Sequence, residues 1–255
     1  MIFDCHVHST ASPDGKMSPG EVIALADKMQ IGFIFTDHVD LSPEGEPFFC
    51  VDFNSYPKDY LQFRSDTVLL GLEIGLIAEC VEKCRAIANN PDYDYILGSV
   101  HFTNGMDIGY DPDTFFLAGI ETYMQHLQYI LKMVKMNDFF DALGHIDYLS
   151  RYSPFTEKNL LYEEYRDVYD EILRALIERD KLLELSSRRL GDGAARRNLF
   201  SIFSRYRALG GRYVTLGSDA HVLEQLGYKF GTAIEMLNEI GLLPVYFNKR
   251  RMILC

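Results

Sequence analysis

Short apolar runs alternate with amphipathic stretches along most of the chain. Several of these runs are apolar at consecutive positions, which is typical of strands buried on both faces of a parallel sheet. The pattern predicts seven strands, at residues 2–8, 33–36, 67–72, 93–100, 138–143, 182–185 and 213–216. Helix-like stretches lie between or after them, at residues 77–88, 113–136, 162–178, 197–209 and 231–240.

A further helix is predicted after the first strand, because Ser18, Pro19 and Glu21 form a capping box with proline at the first helical position. Gly32 is expected to end it. Seven strand–helix units in succession favour an α/β fold with a parallel, barrel-like sheet in a single domain, residues 1–255.

Two segments fall outside this alternation. Residues 39–58 are polar and interrupted by proline and glycine, and they are long for a connection. They are interpreted as a lid or substrate-side loop, with an inert surface excursion as the alternative. A short tail from residue 245 is expected to finish the chain.

Composition excludes several function classes. The formal net charge is −12 with no basic stripe, so a nucleic-acid partner is not expected. No apolar run is long enough to cross a bilayer, and no basic segment followed by an apolar stretch marks a signal peptide. Five cysteines without a zinc-finger spacing favour a reducing environment. The expected location is therefore cytoplasmic, with no membrane partner; the oligomeric state stays open.

The positions of the histidines are more informative than their number. Of seven, six stand at or just after the ends of apolar, strand-like runs: His6, His8, His38, His101, His145 and His221. The seventh, His126, lies within a predicted helix and is interpreted as a surface or packing residue. In an extended strand Asp4, His6 and His8 share one face, so both imidazoles are expected to reach one metal ion.

Two carboxylates, Glu73 and Asp219, also stand at strand ends. In a β/α barrel these ends converge on the active site. Any one of these side chains alone is better explained as a cap or a buried, hydrogen-bonded residue. Together they give eight donors, too many for one four-coordinate ion, which predicts two or three divalent ions with a bridging carboxylate. Imidazole combined with carboxylate favours zinc, manganese or iron.

The elements D-x-H-x-H, T-D-H, G-L-E, G-S-V-H, G-H-I-D and G-S-D-A-H occur in this order between residues 4 and 221. The set resembles the polymerase and histidinol phosphatase (PHP) superfamily, and within it most resembles the monofunctional histidinol-phosphate phosphatases. This resemblance implies a distorted (β/α)7 barrel with a trinuclear metal centre.

The resemblance also implies a ligand set. His6, His8, Glu73 and Asp219 hold the first ion, and Glu73 bridges to a second that His101 and His145 complete. The third ion is held by His38, His221 and Asp14, where the family has a His or Asp. The implied reaction is hydrolysis of L-histidinol phosphate by a metal-bridging hydroxide, available near neutral pH because metals lower the pKa of bound water from 15.7 to about 7.

Catalytic residues beyond the ligands are expected near strand ends. Arg151 and Arg188 are the candidate phosphate clamps, because a guanidinium meets phosphate bidentately, with Arg189, Arg196 and Arg197 as alternatives. The leaving alkoxide needs a proton, and His221 or Asp219 is expected to steer a metal-bound water to it, without a choice between the two residues.

Three functions stay open at this point. The first is hydrolysis of L-histidinol phosphate, and the second is hydrolysis of another phosphomonoester, such as a nucleotide, a sugar phosphate or phosphotyrosine. The third is a silent, metal-stabilised scaffold. Where the family usually has Glu-hydrophobe-Asn-Thr-Ser after the sixth strand, this chain has residues 184–188, Glu-Leu-Ser-Ser-Arg, which bears on substrate identity more than on reaction class.

Overall fold

The computed structural model describes all residues, 1–255, as a mixed α/β fold. Twelve strands are present. Their bounds are β1 Phe3–Val7, β2 Gly32–Leu41, β3 Pro47–Cys50, β4 Val68–Gly75, β5 Tyr95–Ser99, β6 Phe102–Thr103, β7 Met106–Asp107, β8 Ala142–Leu143, β9 Leu182–Ser186, β10 Tyr213–Gly217, β11 Leu243–Asn248 and β12 Arg251–Leu254.

Eight α-helices and several single 3₁₀ turns connect the strands. The helices are α1 Pro19–Met29, α2 Tyr56–Tyr60, α3 Val81–Ala88, α4 Pro112–Phe115, α5 Glu121–Met136, α6 Arg166–Glu178, α7 Gly193–Ala208 and α8 Phe230–Ile240. At the start of α1 the Glu21 carboxylate accepts hydrogen bonds from the N–H and the hydroxyl of Ser18, as the capping box predicts. None of the helices combines the length and the apolar character needed to span a membrane.

The main sheet has the strand order β1-β2-β4-β5-β8-β9-β10-β11-β12, with β3 paired to β2. Every pair is parallel except β2–β3 and β11–β12, which are antiparallel hairpins. Beyond β10, Ala220 forms a parallel bridge with Val7 of β1, and the N–H of His8 donates to the Ala220 carbonyl at 2.9 Å. The carboxyl ends of β1 and β10 are therefore neighbours.

Apolar residues are buried on both faces of this sheet. One cluster includes Cys5, Ile34, Leu69 and Tyr95, which come from the four neighbouring parallel strands β1, β2, β4 and β5 and lie on one face of the sheet. A much larger cluster fills the space between the opposite face and the helices. Continuous apolar strands are explained by this double burial.

Three predicted elements differ from the structure. The helix expected at residues 113–136 is interrupted at Gly119, whose φ of 77° lies in the left-handed region that favours glycine. The strand expected at residues 138–143 pairs only over Ala142–Leu143. Gly32 does not end α1, since Gln30 is the left-handed cap and Gly32 already begins β2.

The two segments outside the predicted alternation are also ordered. Residues 39–58, interpreted as a lid or substrate-side loop, contain the end of β2, the hairpin strand β3 and the start of α2, and Asp40, Phe48 and Phe49 line the cavity beside the histidines. The prediction of a short tail from residue 245 is wrong, because β11 extends the parallel sheet beside β10 and turns into β12. Val245 and Phe247 of β11 pack into the smaller apolar cluster, which is the physical reason that this tail forms a strand.

Candidate metal centre

Six imidazoles converge at the carboxyl ends of the parallel strands. Around His8 the rings lie face to face, with centroids 4.2 Å from His38 and 4.1 Å from His221. His6 and His101 each lie within 5.5 Å of the His145 ring, centroid to centroid. The strand-end histidines predicted from the sequence are therefore brought into one cluster.

Four donor atoms around His6 and His8 surround a common point. The Nε2 atom of His6 lies 3.3 Å from Glu73 Oε2 and 3.6 Å from Asp219 Oδ1. The Nε2 atom of His8 lies 3.5 Å and 3.4 Å from the same two oxygens. Donors about 2.0–2.2 Å from a tetrahedral ion lie roughly 3.3–3.6 Å from one another.

Buried polar atoms without partners give an independent test of this fit. His6 Nε2, His8 Nε2 and Glu73 Oε2 are inaccessible to solvent and make no hydrogen bond within the chain. Orphaned buried groups are rare because each costs free energy, unless an ion or water satisfies it. Their convergence at ligand-to-ligand distances fits a divalent cation.

Glu73 extends the cluster in a second direction. Its Oε1 atom lies 2.9 Å from His145 Nε2 and 3.3 Å from His101 Nε2. Its Oε2 atom faces His6 and His8, and it also lies 3.0 Å from His38 Nδ1. One carboxylate therefore stands between two groups of imidazoles, as a bridging ligand must.

A third group of donors lies at the mouth of the site. Asp14 Oδ2 is 2.9 Å from His221 Nε2 and 3.8 Å from His38 Nε2. The structure therefore places Asp14, the residue with the weakest sequence signal, beside the two histidines with which it was predicted to act. His8, His38 and His221 together form one of the clusters able to hold an ion.

The predicted alternation along β1 is wrong in one respect. Asp4 does not share the face of His6 and His8; its carboxylate accepts hydrogen bonds from the N–H and hydroxyl of Ser218. The register between β1 and β2 shifts between Asp4 and Val7. A β-bulge there reverses the alternation, so the side chains of His6 and His8 turn to the inner face.

Two carboxylates that orient the histidines were not predicted as site residues. Asp40 Oδ1 lies 2.8 Å from His101 Nδ1. Glu184 Oε1 lies 2.8 Å from His6 Nδ1, and its second oxygen accepts the N–H of His145 at 2.8 Å. A carboxylate on the far nitrogen fixes the tautomer and direction of a metal-binding imidazole.

Gly217 makes room for this arrangement. A Cβ at this position would lie 2.3 Å from Glu184 Oε1 and 2.5 Å from the Cβ of His6. The glycine of the G-S-D-A-H element is therefore required by the close approach of Glu184 to His6.

The electrostatics of the chain favour ionised acids in the centre. Burial alone would raise the pKa of the Glu73 carboxyl, but the imidazoles of His6, His101 and His38 hold it well below its ordinary value. Burial likewise opposes ionisation of Asp219, but the Arg151 guanidinium and the imidazoles of His6, His8 and His221 together outweigh it, so its pKa is also well below the usual range. Both carboxylates are therefore negative at neutral pH and suited to bind cations.

A cavity of about 550 Å³ opens beside the histidines. Arg151 and Arg188 both line it, as predicted. Arg151 donates to Asp219 Oδ2, and its Nε and Nη2 atoms are buried without partners. Arg188 is already engaged, because its Nη1 donates to the Asp219 carbonyl and to Gln225 Oε1, each at 2.7 Å.

The alternative arginines point elsewhere. Arg189 donates to Asp147 at 2.9 Å and to Asn159 at 2.8 Å. Arg196 and Arg197 are exposed and line a separate groove between α7 and α8. His126 is fully buried and pairs with Thr103 at 2.8 Å, so it is a packing residue and not a surface one.

An α/β fold with imidazoles and carboxylates gathered at the carboxyl ends of its parallel strands defines a metal-binding protein with an open cavity at its centre. Comparison with known protein families identifies the family to which the chain belongs. The model of the PHP domain matches residues 4–188, and the chain belongs to this family.

Relatives match over nearly the whole chain. A probable histidinol-phosphatase of Clostridium acetobutylicum is 37% identical over 253 residues, covering 99% of each chain. A histidinol-phosphatase of Lactococcus lactis is 27% identical, covering 94% of this chain and 91% of the relative. The crystal structure of histidinol phosphate phosphatase from Lactococcus lactis, in complex with zinc, L-histidinol and phosphate, superposes with a TM-score of 0.88 at 25% identity, covering 99% of this chain and 98% of that one.

Proposed function

We propose that this chain is a metal-dependent phosphomonoesterase that hydrolyses L-histidinol phosphate to L-histidinol and phosphate, a step of histidine biosynthesis. The observation that carries the proposal is the convergence of nine donor residues beside one cavity that two arginines line. Relatives that match nearly end to end and are histidinol-phosphatases by name support the same reaction and substrate.

The donor distances support three ion positions. We assign the first to His6, His8, Glu73 and Asp219, and the second to Glu73, His101 and His145. We assign the third to Asp14, His38 and His221. Zinc, manganese or iron would suit these imidazole and carboxylate ligands.

The strand pairing favours a distorted (β/α)7 barrel as the description of the sheet. The bridge between Val7 and Ala220 joins β1 to the end of β10, which supports a ring formed by β1, β2, β4, β5, β8, β9 and β10. We infer one domain for residues 1–255. Five free thiols support a reducing, cytoplasmic location.

Divalent ions bound here would supply a hydroxide nucleophile near neutral pH and neutralise the charge on phosphate. The chain itself holds the reacting groups. Arg151 has two unpartnered nitrogens that are suited to bind phosphate, and its ion pair with Asp219 holds that carboxylate in place. We propose that Asp219 or His221, which line the cavity beside Arg151, orients a water molecule that protonates the leaving alkoxide.

Arg151→Ala is expected to lower kcat/KM for phosphomonoesters by roughly 100-fold or more, because a charge-assisted, bidentate contact with phosphate contributes about 1.5–3 kcal/mol per hydrogen bond. Arg188→Ala should cost less and act mainly on KM, since its guanidinium is already hydrogen-bonded within the chain. Steady-state kinetics and the inhibition constant of inorganic phosphate measure both effects. The exposed Arg166 provides the control, Arg166→Ala; equal effects of Arg151→Ala and Arg166→Ala would remove Arg151 from the site.

A panel of phosphomonoesters tests the proposed function. We expect L-histidinol phosphate to give the highest kcat/KM, ahead of nucleotides, sugar phosphates, phosphotyrosine and 4-nitrophenyl phosphate. If another ester leads the panel, the chain is a phosphatase of different specificity. A protein that binds its metals and hydrolyses none of the esters would be a scaffold.

A further inference from the structure

The wall of the cavity carries both basic and acidic side chains. Lys16, Arg151 and Arg188 line it near the segment that follows β10, where the N–H of Lys16 donates to the His221 carbonyl and both arginines contact Asp219. An acidic residue, Asp107, lines it beyond the end of β5. A ligand that carries both an anionic and a cationic group would match these charges.

Asp107 differs from the other acids of the cavity. Asp14, Asp40 and Asp219 each contact imidazoles of the metal centre. Asp107 forms no ion pair, and its carboxylate accepts the backbone N–H of Tyr110 at Oδ1, at 2.8 Å, with the N–H of Gly109 also directed to it. An ionised carboxylate offers about four lone-pair sites, so it retains capacity for a further donor.

The segment that holds Asp107 is fixed against the metal centre. The N–H of Ile108 donates to the His101 carbonyl at 3.0 Å. A Cβ on Gly109 would lie 2.7 Å from the hydroxyl oxygen of Tyr148, so this loop packs closely against that ring. Tyr148 in turn lies on His145, with ring centroids 4.9 Å apart. Asp107 is thereby held in a fixed position relative to His101 and His145.

The surroundings of Asp107 disfavour a charge without a partner. Burial is the largest influence on this carboxyl and raises its pKa, although the hydrogen bond from Tyr110 and the His101 imidazole oppose the rise. Tyr148, Tyr152 and Phe49 provide aromatic surface in the same cavity. A cationic group in this place would find both a carboxylate and aromatic surface.

We propose that Asp107 binds the ammonium group of the substrate and makes this site selective for amine-bearing phosphomonoesters. This inference rests on the proposed function and names the residue that selects its substrate. L-Histidinol phosphate carries an ammonium group beside its phosphate ester. Because the ammonium is on the carbon next to the ester methylene, phosphate held at the metals and Arg151 would turn the ammonium toward the cavity wall that carries Asp107.

Two esters that differ in the ammonium group test the assignment. L-Histidinol phosphate is compared with 3-(imidazol-4-yl)propyl phosphate, which keeps the imidazole and the ester but lacks the amine. For Asp107→Asn we expect kcat/KM for L-histidinol phosphate to fall roughly 10- to 100-fold, as for loss of a hydrogen bond to a charged group, with the loss mainly in KM. For the ester without the amine, the change should stay within about twofold.

Matched variants separate selectivity from folding. Asp107→Glu keeps the charge and should retain part of the preference, whereas Asp113→Asn alters an exposed acid of α4 outside the cavity and should change nothing. Metal content and thermal unfolding of each variant are measured alongside. An equal loss on both esters, or no loss on L-histidinol phosphate, would overturn the role of Asp107.

The unmodified chain provides the remaining comparison. If it prefers L-histidinol phosphate over other esters and Asp107→Asn keeps that preference, only the role of Asp107 is wrong. If the unmodified chain does not distinguish the two imidazole esters, ammonium recognition is wrong as well. If it also hydrolyses L-histidinol phosphate no faster than 4-nitrophenyl phosphate, the proposed function fails.

Discussion

Glu73→Gln is expected to lower kcat by more than about 1,000-fold, because it withdraws several kcal/mol of metal-dependent stabilisation and each 1.36 kcal/mol is tenfold in rate. Oε1 of this carboxylate faces His101 and His145, while Oε2 faces His6 and His8. Glutamine has nearly the same shape but no charge, and its amide nitrogen presents hydrogens where a cation is expected. One substitution therefore disturbs two ion positions at once.

The measurement is steady-state turnover of L-histidinol phosphate together with bound metal per chain, determined by mass spectrometry of the purified protein. Glu79→Gln provides the control, since Glu79 is an exposed carboxylate just after the same strand. Circular dichroism should show the fold retained in both variants. A Glu73→Gln protein with ordinary turnover and ordinary metal content would show that Glu73 does not bridge the ions.

The convergence of the proposed metal ligands was predictable because their positions follow from strand ends alone. Parallel strands bring their carboxyl ends to one edge, so His38, Glu73, His101 and His145 had to meet if the strands were assigned correctly. No distance between them was needed for that conclusion. The resemblance of the sequence motifs to the PHP superfamily added Asp14, which lies in a turn where alternation gives no information.

Asp40 was missed because β2 was ended too early. Ile34 faces the apolar cluster inside the sheet, and Thr36, His38 and Asp40 follow it at alternate positions of a strand that continues to Leu41. Continuing the same alternation by two residues would have placed Asp40 beside the histidines. The proline and glycine residues that follow belong to the β2–β3 hairpin, and they were interpreted as the start of a loop.

Glu184 illustrates what a linear pattern does not contain. Glu184 lies in the middle of β9, and the alternation of side chains along a strand is enough to predict that it faces the interior. Its role depends on contact with His6, which is 178 residues away along the chain. The bulge in β1 that turns His6 toward it likewise leaves no mark in the hydrophobic pattern. Residues that orient the ligands therefore emerge only once the strands are packed together.

Removing the metals is expected to abolish turnover and to destabilise the protein. Dialysis against a strong chelator leaves the buried carboxylates and imidazoles without the cations that pair them. A ligand present at 100 times its dissociation constant stabilises the folded state by about 2.7 kcal/mol, so loss of even one such ion should lower Tm by roughly 5–10 °C in a chain of this size. Re-addition of zinc or manganese should restore both activity and Tm.

The Glu73→Gln variant makes this experiment specific. If the ions act through the cluster that Glu73 bridges, chelation should change the activity and Tm of the variant far less than those of the unmodified chain, because the variant has already lost most of its metal. Titration of the metal-free protein against activity then counts the ions needed, with three per chain expected from the donor groups. Full turnover in a protein shown to contain no metal would contradict the assignment of these residues as ligands, whatever their geometry.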